Sequence, residues 1–361
     1  MPLKYALIGC GRISPNHLSA AVANRLAVAA LCDPCPGHIQ KLLSEQPALS
    51  PAPRLYDDHR KMLEAERPQL AAIATESGRH AAVALDCIDA GCHIIIEKPI
   101  ALSLADADAV LNRARQRGVL VCACHQNRFN KSVQRIRQAV EQGRFGRLLY
   151  GTAHIRWNRG PDYYRQAPWR GSWEQDGGAL MNQCIHNIDL LRWMLGDAVT
   201  EVVGMTDRLC HPEIEAEDFG AALIRFANGA YGIVEGTTNI YPCNLEETLY
   251  LFGERGTVKA GGQSVNLIEH WQFADRLDDP EAVMAACHEA PRNVYGFGHT
   301  PLYADMVDAI QTGRAPAVDG EAGRRALELV LAIYRSAQLG KGVSLPLAPT
   351  ATTDFAGRFD R

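Results

Sequence analysis

Residues 4–33 limit what this chain can fold into more than any other stretch. Tyr5-Ala6-Leu7-Ile8 is an uncharged apolar run, the pattern of a strand buried on both faces. Gly9-Cys10-Gly11-Arg12-Ile13-Ser14 follows directly. A helical pattern runs from Asn16 to Ala23, and a second apolar run from Leu26 to Cys32 ends in Asp33. Strand, glycine turn, helix, strand and acid in that order predict a dinucleotide-binding βαβ unit. Gly9 permits the tight turn, and Gly11 lets backbone come close to a pyrophosphate at the positive end of the helix. Asp33 lies 22 residues beyond Gly11, where a carboxylate accepts hydrogen bonds from an adenosine ribose and repels a 2′-phosphate. The expected cofactor is therefore NAD. Serine stands at the third glycine position, so the fingerprint is G-x-G-x-x-S.

The alternation continues. Helical stretches at Cys35–Ser44 and Asp58–Ala65 flank a proline-rich loop, and Leu70 to Ala74 is another apolar strand. Helix Ala81–Ala90, stopped by Gly91, leads to a strand at His93–Ile96. Ser103 caps a helix to Arg117, and Val119–Ala123 is a further strand. Five or six parallel strands with right-handed crossovers make a doubly wound sheet, whose ligand loops lie at the carboxyl ends of its strands. Those ends are the glycine turn, Asp33, Thr75–His80, Glu97-Lys98-Pro99 and His125-Gln126-Asn127.

The character changes from about Lys131. A helix to Gln142 precedes strands at Leu148–Trp157, Val202–Leu209, Phe219–Phe226, Tyr231–Thr238, Thr248–Phe252 and Val265–Trp271. Ala227-Asn228-Gly229-Ala230 is a hairpin turn, and Gly253-Glu254-Arg255-Gly256 reads as another. The fold class is α/β: a doubly wound parallel sheet over residues 1–125, then an α+β domain over 126–361 built on a large open, mostly antiparallel sheet. Leu327, Val330, Leu331, Tyr334 and Gln338 form one helical stripe, expected to pack back on the first domain. The tail after Leu347 reads as loosely held.

A net charge of −4 gives no electrostatic reason to expect nucleic acid or an anionic membrane as partner. No apolar run approaches a membrane span, and a strand starting at residue 4 predicts no signal peptide. The protein is expected in the cytoplasm. Eleven cysteines are scattered or lie in apolar runs. Cys32 and Cys35 form C-x-x-C with no second pair, so reduced thiols are expected. Cys122, Cys124 and His125 alternate on a strand, and the histidines show no ligand spacing, so no metal is expected.

Three groups could carry chemistry. Lys98 stands where a buried strand gives way to a loop, and an ammonium there would stabilise a developing alkoxide. The plain alternative is a surface lysine. Gly177-Gly178 opens a helix running to Leu195 and ended by Gly196, on which Asn182 and His186 share a face. Glycines there would let a flat ring approach the helix start. His186 suits a general base taking a hydroxyl proton, the alternative being a core histidine. Asp189 would orient His186 or meet another subunit. Tyr163-Tyr164-Arg165 with Trp169-Arg170 lies in an irregular loop, suited to a ring plus phosphate or carboxylate, or else to a subunit contact.

The chain resembles the Gfo/Idh/MocA oxidoreductases over nearly its whole length. The likeness rests on Gly9-Cys10-Gly11-Arg12-Ile13 with His17, on Glu97-Lys98-Pro99, and on the glycine-led helix with His186. It implies a Rossmann domain followed by an open-sheet domain that often builds dimers or tetramers, with Lys98 and His186 acting at the transferred hydride. Thr75-Glu76 departs from the family's usual Thr-Pro. Asn182 stands where an aspartate is frequent; an amide cannot titrate, which leaves His186 as the base. Within the family the chain is most similar to UDP-N-acetylglucosaminuronate 3-dehydrogenases. Gln126-Asn127-Arg128, Tyr163-Tyr164, Trp169-Arg170-Gly171, Met181-Asn182-Gln183, Tyr241-Pro242 with Asn244-Leu245-Glu246, and Gly256-Thr257-Val258 leading to His270-Trp271 carry that likeness.

The resemblance implies NAD-dependent oxidation of a nucleotide sugar's 3-hydroxyl to a 3-keto sugar, for polysaccharide assembly. The catalytic residues would be Lys98, His186 and Asn182. Cofactor would meet Gly9, Gly11, Arg12, Ile13, Asp33, Thr75, His80, Glu97, Lys98, Gln126, Trp169 and Arg170. Substrate would meet Lys98, Arg159, Tyr163, Asn182 and His186, with Arg159 and Arg170 facing anionic groups. A homodimer or homotetramer is expected. Rival readings are a dehydrogenase of another sugar or cyclitol, a glycosidase that cycles a held NAD, and a cofactor-sensing regulator without turnover.

Overall fold

The computed structural model describes residues 2–46, 49–196, 198–290 and 294–360. They form two compact units, one of residues 1–125 with 299–324 and one of residues 126–298 with 325–361.

The first unit is built on β1 (Lys4–Ile8), β2 (Ala27–Cys32), β3 (Arg54–Tyr56), β4 (Leu70–Ile73), β5 (His93–Ile96) and β6 (Val121–Ala123). All pair in parallel, in the order β3-β2-β1-β4-β5-β6. Between them run α1 (Ser14–Ala23), α2 (Pro36–Ser44), α3 (His59–Glu66), α4 (His80–Asp89) and α5 (Leu104–Arg117). Every residue of β4 and β6 is buried, which is why these strands read as unbroken apolar runs. Ser103 caps α5 by accepting from the Asp106 N–H at 3.0 Å. The order reverses beside β1, so its carboxyl end and that of β4 border the crevice where such sheets take ligands. The strand β3 lies inside what the sequence presents as a loop; it is a short edge with Arg54 and Leu55 exposed.

The second unit begins with α6 (Lys131–Glu141), β7 (Leu148–Arg156) and α7 (Pro161–Arg165). The main helix α8 (Ile185–Leu195) is preceded by a π-helical turn, Leu180–Cys184, where sequence predicts one uninterrupted helix. Then come β8 (Val199–Asp207), β9 (Phe219–Phe226), β10 (Tyr231–Thr237), β11 (Glu246–Gly253), β12 (Gly256–Gly261), β13 (Leu267–Phe273) and α9 (Pro280–Ala286). With β14 (Val343–Ser344) they form an eight-stranded sheet in the order β13-β12-β11-β7-β10-β9-β8-β14. Among the described residues, only the β10–β7 pairing of this sheet is parallel. The strand β12 was not expected; it follows directly on the Gly253–Gly256 turn.

The helix α8 covers one face of β7, β10 and β11. The other face carries exposed Tyr150, Val203, Met205, Leu223, Tyr231 and Ile233. Among the described residues no helix is long and apolar enough to cross a membrane.

The chain's end departs from expectation twice. The segment that returns to the first unit is α10 (His299–Thr312) with the first turn of α11 (Gly320–Leu339), so the second unit is not continuous over 126–361. α10 packs on α1, where Asn24 Nδ2 donates to the Thr300 carbonyl at 2.9 Å. The apolar stripe Leu327, Val330, Leu331 and Tyr334 is instead buried within the second unit, where the Tyr334 hydroxyl donates to Glu217 at 2.8 Å. Nor is the tail loose. Phe355 is fully buried, its ring 5.7 Å from that of Trp173 and 5.4 Å from that of Tyr334. Removing so much buried aromatic surface opens a cavity. Phe355→Ala should cost ~3–5 kcal/mol in chemical denaturation; a loss below ~1 kcal/mol would restore the picture of an unattached tail.

Candidate active site

In the first unit the glycine turn is shaped by contact rather than by flexibility alone. Gly9 has φ +92°, and a Cβ there would lie 2.4 Å from the Ala74 carbonyl oxygen at the end of β4. Gly11 is different: a Cβ would meet nothing within 4 Å, so the space beside it is open for a pyrophosphate. Asp33 is held in place, its Oδ2 accepting from the Cys10 N–H at 2.8 Å and its Oδ1 from the Cys35 N–H at 2.8 Å. The acid is thus pinned to the turn it would complement. Arg12, Ile13 and Thr75 stand at the same carboxyl ends, Arg12 exposed and the other two half-buried. These residues fit an NAD adenosine and pyrophosphate.

Two predicted cofactor contacts turn out to be internal. The His80 ring faces the Pro99 carbonyl at 2.7 Å from Nδ1 and the Thr75 carbonyl at 3.1 Å from Nε2. The side chain ties two loops together and presents neither nitrogen to a ligand; burial lowers its pKa. Glu97 is likewise buried, with Oε1 2.9 Å from His17 Nε2 and 3.7 Å from His299 Nε2. Burial opposes its ionisation, but hydrogen bonds and charge from the two histidines outweigh that and hold the carboxyl well below its usual range.

His17, Glu97, Cys124 and His299 bring ligand-type atoms within 4.8 Å of one another. Sequence spacing hides this set because four separate elements supply it. Both His17 nitrogens are already engaged, Nδ1 at 2.7 Å from the Tyr303 hydroxyl and Nε2 with Glu97, which makes the set a hydrogen-bonded clamp. The clamp anchors the strand end from which Lys98 emerges. Lys98 is half-exposed between buried Glu97 and buried Pro99, and its N–H donates to Glu97 Oε2 at 3.2 Å.

In the second unit the polar side chains of interest stand out by exposure. From Ala179 to Leu195 the helix is buried except at Asn182, Gln183, His186 and Trp193. Asn182 donates to Asp176, and Gln183 Nε2 donates to Asn182 Oδ1 at 2.6 Å and to the Tyr163 hydroxyl at 3.0 Å. Arg170 also donates to that hydroxyl, and its guanidinium lies 4.1 Å from the centre of the Tyr163 ring and 4.7 Å from that of Trp169. Arg159 sits over Trp157 and Tyr163, at 4.7 and 5.3 Å, and donates to Gln183 Oε1 at 3.0 Å. The structure therefore brings Arg159, Tyr163, Trp169, Arg170, Asn182 and Gln183 into one network on the helix that carries His186. Gln183 was missed as a network member. Gln126, also expected to meet the cofactor, is buried in this unit, and its Nε2 donates to Asn127 Oδ1 at 3.5 Å.

Three further departures concern what supports the helix. Asp189 does not face another subunit: it is fully buried and accepts two bonds from Arg128, at 2.7 and 2.6 Å. The space left by Gly178 is not open to a ligand ring. Glu217 fills it, with Oε2 1.8 Å from where a Cβ would stand. Burial pushes the Glu217 carboxyl up to about 8. Glu247, also buried and pushed up to about 8 by burial, accepts from Asn127 Nδ2 at 3.1 Å. No local pattern marks either glutamate, since their partners lie 37 and 120 residues away. The cysteines form no disulfide among the described residues.

Residues 3–125 match the model of an oxidoreductase family with an NAD-binding Rossmann fold, and residues 133–259 match the C-terminal domain of GFO/IDH/MocA proteins. The WlbA dehydrogenase of Bordetella pertussis, solved with NADH and UDP-GlcNAcA, is 37% identical, with a TM-score of 0.88 over 96% of this chain and 99% of that one. The chain belongs to the GFO/IDH/MocA oxidoreductase family. The WlbA dehydrogenase of Chromobacterium violaceum, also solved with NADH and UDP-GlcNAcA, is 34% identical, with a TM-score of 0.87 over 96% and 97% of the two chains. Myo-inositol 2-dehydrogenase of Thermotoga maritima is 24% identical over 95% of this chain and 98% of its own. This GFO/IDH/MocA member is an NAD-dependent dehydrogenase of sugar or polyol hydroxyls.

Asp33→Ala should weaken NAD binding by ~10-fold or more, the loss of a hydrogen bond to a charged group, and NADP binding much less. Fluorescence titration of both dinucleotides measures this, and an equal loss for both would contradict the ribose contact.

Proposed function

We propose that the enzyme oxidises the 3-hydroxyl of a nucleotide sugar resembling UDP-N-acetylglucosaminuronate, giving a 3-keto sugar for cell-surface polysaccharide synthesis. The observation that carries this is the likeness, 37% identical over nearly the full length of both chains, to a dehydrogenase solved with NADH and UDP-GlcNAcA. The half-buried cluster of Arg159, Tyr163, Trp169 and Arg170 supports it, because a nucleotide sugar acid brings rings and several negative charges.

Bound NAD would supply the hydride acceptor. Gly9 and Gly11 would admit its pyrophosphate, and Asp33 would accept from its adenosine ribose. His186 would take the hydroxyl proton, worth ~10²- to 10⁴-fold in rate. The Lys98 ammonium would donate to the same oxygen and steady its negative charge until the carbonyl forms. Asn182 would orient neighbouring hydroxyls, and Arg159 and Arg170 would face the anionic groups. Proton to His186 and hydride to the cofactor leave a neutral ketone, so the step balances.

A second reading, a dehydrogenase of a free sugar or cyclitol, is favoured by relatives such as the inositol enzyme of Thermotoga maritima. Lys98→Ala and His186→Ala should each lower turnover ~100-fold or more with NAD still bound. A melting-shift screen in the presence of NAD separates the substrates. Selective stabilisation by UDP-N-acetylglucosaminuronate supports the nucleotide-sugar reading, and stabilisation only by free sugars or cyclitols defeats it; near-normal turnover in either variant defeats the role given to that residue.

A cytoplasmic homodimer or homotetramer is proposed with it, associating through the exposed apolar face that carries Met205, Leu223, Tyr231 and Ile233. Light scattering should give a multiple of the 39.5 kDa chain, and a monomer would contradict it.

A further inference from the structure

The turn that carries Asn182 is seated in a notch made by missing side chains. Gly220 and Gly236 face each other across β9 and β10. A Cβ on Gly220 would lie 2.5 Å from Leu180 Cδ1, and one on Gly236 would lie 2.5 Å from Cys184 Sγ. These are the first and last residues of the π-helical turn. π-turns inside helices concentrate at functional sites, because the extra residue changes which side chains share a face. The turn leaves backbone donors at its start without partners inside the helix, and these need acceptors.

Glu217 supplies them. Its Oε1 accepts from the Leu180 N–H at 2.8 Å, and its backbone carbonyl accepts from the Ala179 N–H at 2.9 Å. Oε1 also accepts from the Tyr334 hydroxyl on α11 at 2.8 Å. Oε2 rests in the space left by Gly178 and has no hydrogen-bond partner among the described residues. We propose that the Glu217 carboxyl is the positioning group of the active-site helix, holding the π-helical turn on its glycine notch and thereby fixing Asn182 and His186 for reaction. This rests on the roles given above to those two residues.

The arrangement suits a carboxyl that keeps its proton. Two donors meet on Oε1 and none on Oε2, so an ionised carboxylate would leave one of its oxygens buried without a donor. The titratable and charged groups facing Glu217 are Tyr334 on α11, Asp218 beside it on the chain, and Arg358 in the tail. Burial is the largest influence and Asp218 adds to it, so the proton is retained to about pH 8. Above that an ionised carboxylate would be confined against Gly178, a buried charge with too few donors. The turn should then loosen and the reaction slow.

The test uses the full-length enzyme with NAD and UDP-N-acetylglucosaminuronate, following single-turnover formation of NADH against pH. Wild type should lose rate above about pH 8. Glu217→Gln keeps the shape and cannot ionise, so it should hold most of the neutral-pH rate and move the alkaline fall to higher pH. Glu217→Ala should lose ~10- to 100-fold, the scale of a misplaced reacting group, with the KM for NAD within about 3-fold of wild type.

An alkaline fall unchanged in Glu217→Gln overturns the proposal, even if Glu217→Ala does not fold. So does an undiminished rate in Glu217→Ala. If His186→Ala has lost turnover while Glu217→Gln keeps the wild-type profile, only this inference fails. If His186→Ala keeps its rate, the roles beneath it fail instead.

Discussion

Close approach of backbone, possible only where no Cβ intervenes, is the constraint on which both halves of the enzyme depend. In the first unit Gly9 lies against the carbonyl of Ala74, and that approach sets the cofactor turn beside the ends of β1 and β4. In the second, Gly178, Gly220 and Gly236 open the room into which a π-helical turn and a buried carboxyl fit. A methyl group at any of these positions would collide with atoms at 2.5 Å or less. Gly11 has no such neighbour, so its open side remains for a ligand. One residue type thus plays two parts, and the surroundings decide which.

Charge follows the same division between structure and chemistry. Glu97 is enclosed by His17 and His299, Asp189 takes both bonds from Arg128, and Glu217 is buried under Tyr334. Buried polar groups left without partners are expensive, so Glu97 and Asp189 are matched within the protein, and Glu217 is matched at Oε1. Lys98, Asn182 and His186 are half-exposed on the same elements. The clamped neighbours carry the rigidity, and the half-exposed groups can meet a substrate without first being dug out of a core. Arg159 and Arg170, stacked on aromatic rings, are held in orientation.

Local pattern made much of this legible. The spacing from Gly9 to Asp33, the apolar strands and the polar ends at Thr75 and Lys98 follow from short-range rules of strand, turn and helix. His186 was legible as a polar residue on a helix led by glycines. Long-range pairing was not. His299 reaches Glu97 from a segment about 200 residues on, and Asp189 finds Arg128 61 residues back. β3 escaped notice because a three-residue edge strand with exposed side chains has no periodicity to detect. The tail looked unattached because its anchors, among them Phe355 and Phe359 beside Trp173 and the Thr352 hydroxyl on the Trp173 carbonyl, have partners far back in the chain. His80 looked like a ligand-facing loop residue, and only its two carbonyl partners reveal a clamp. Glycine at 178 was recognised as a sign of close approach, but sequence could not say that the approaching group would be the protein's own glutamate.

The chemistry proposed for Lys98 and His186 requires that one particular carbon lose a hydride while its own oxygen loses a proton. The most direct measurement is a single turnover of the NAD-loaded enzyme with UDP-N-acetylglucosaminuronate deuterated at carbon 3, compared with samples deuterated at carbons 2 and 4. The account predicts slower formation of NADH and deuterium in the reduced cofactor for the carbon 3 label alone. Deuterium arriving in the cofactor from carbon 2 or 4, or no label transfer from any of them, would contradict it.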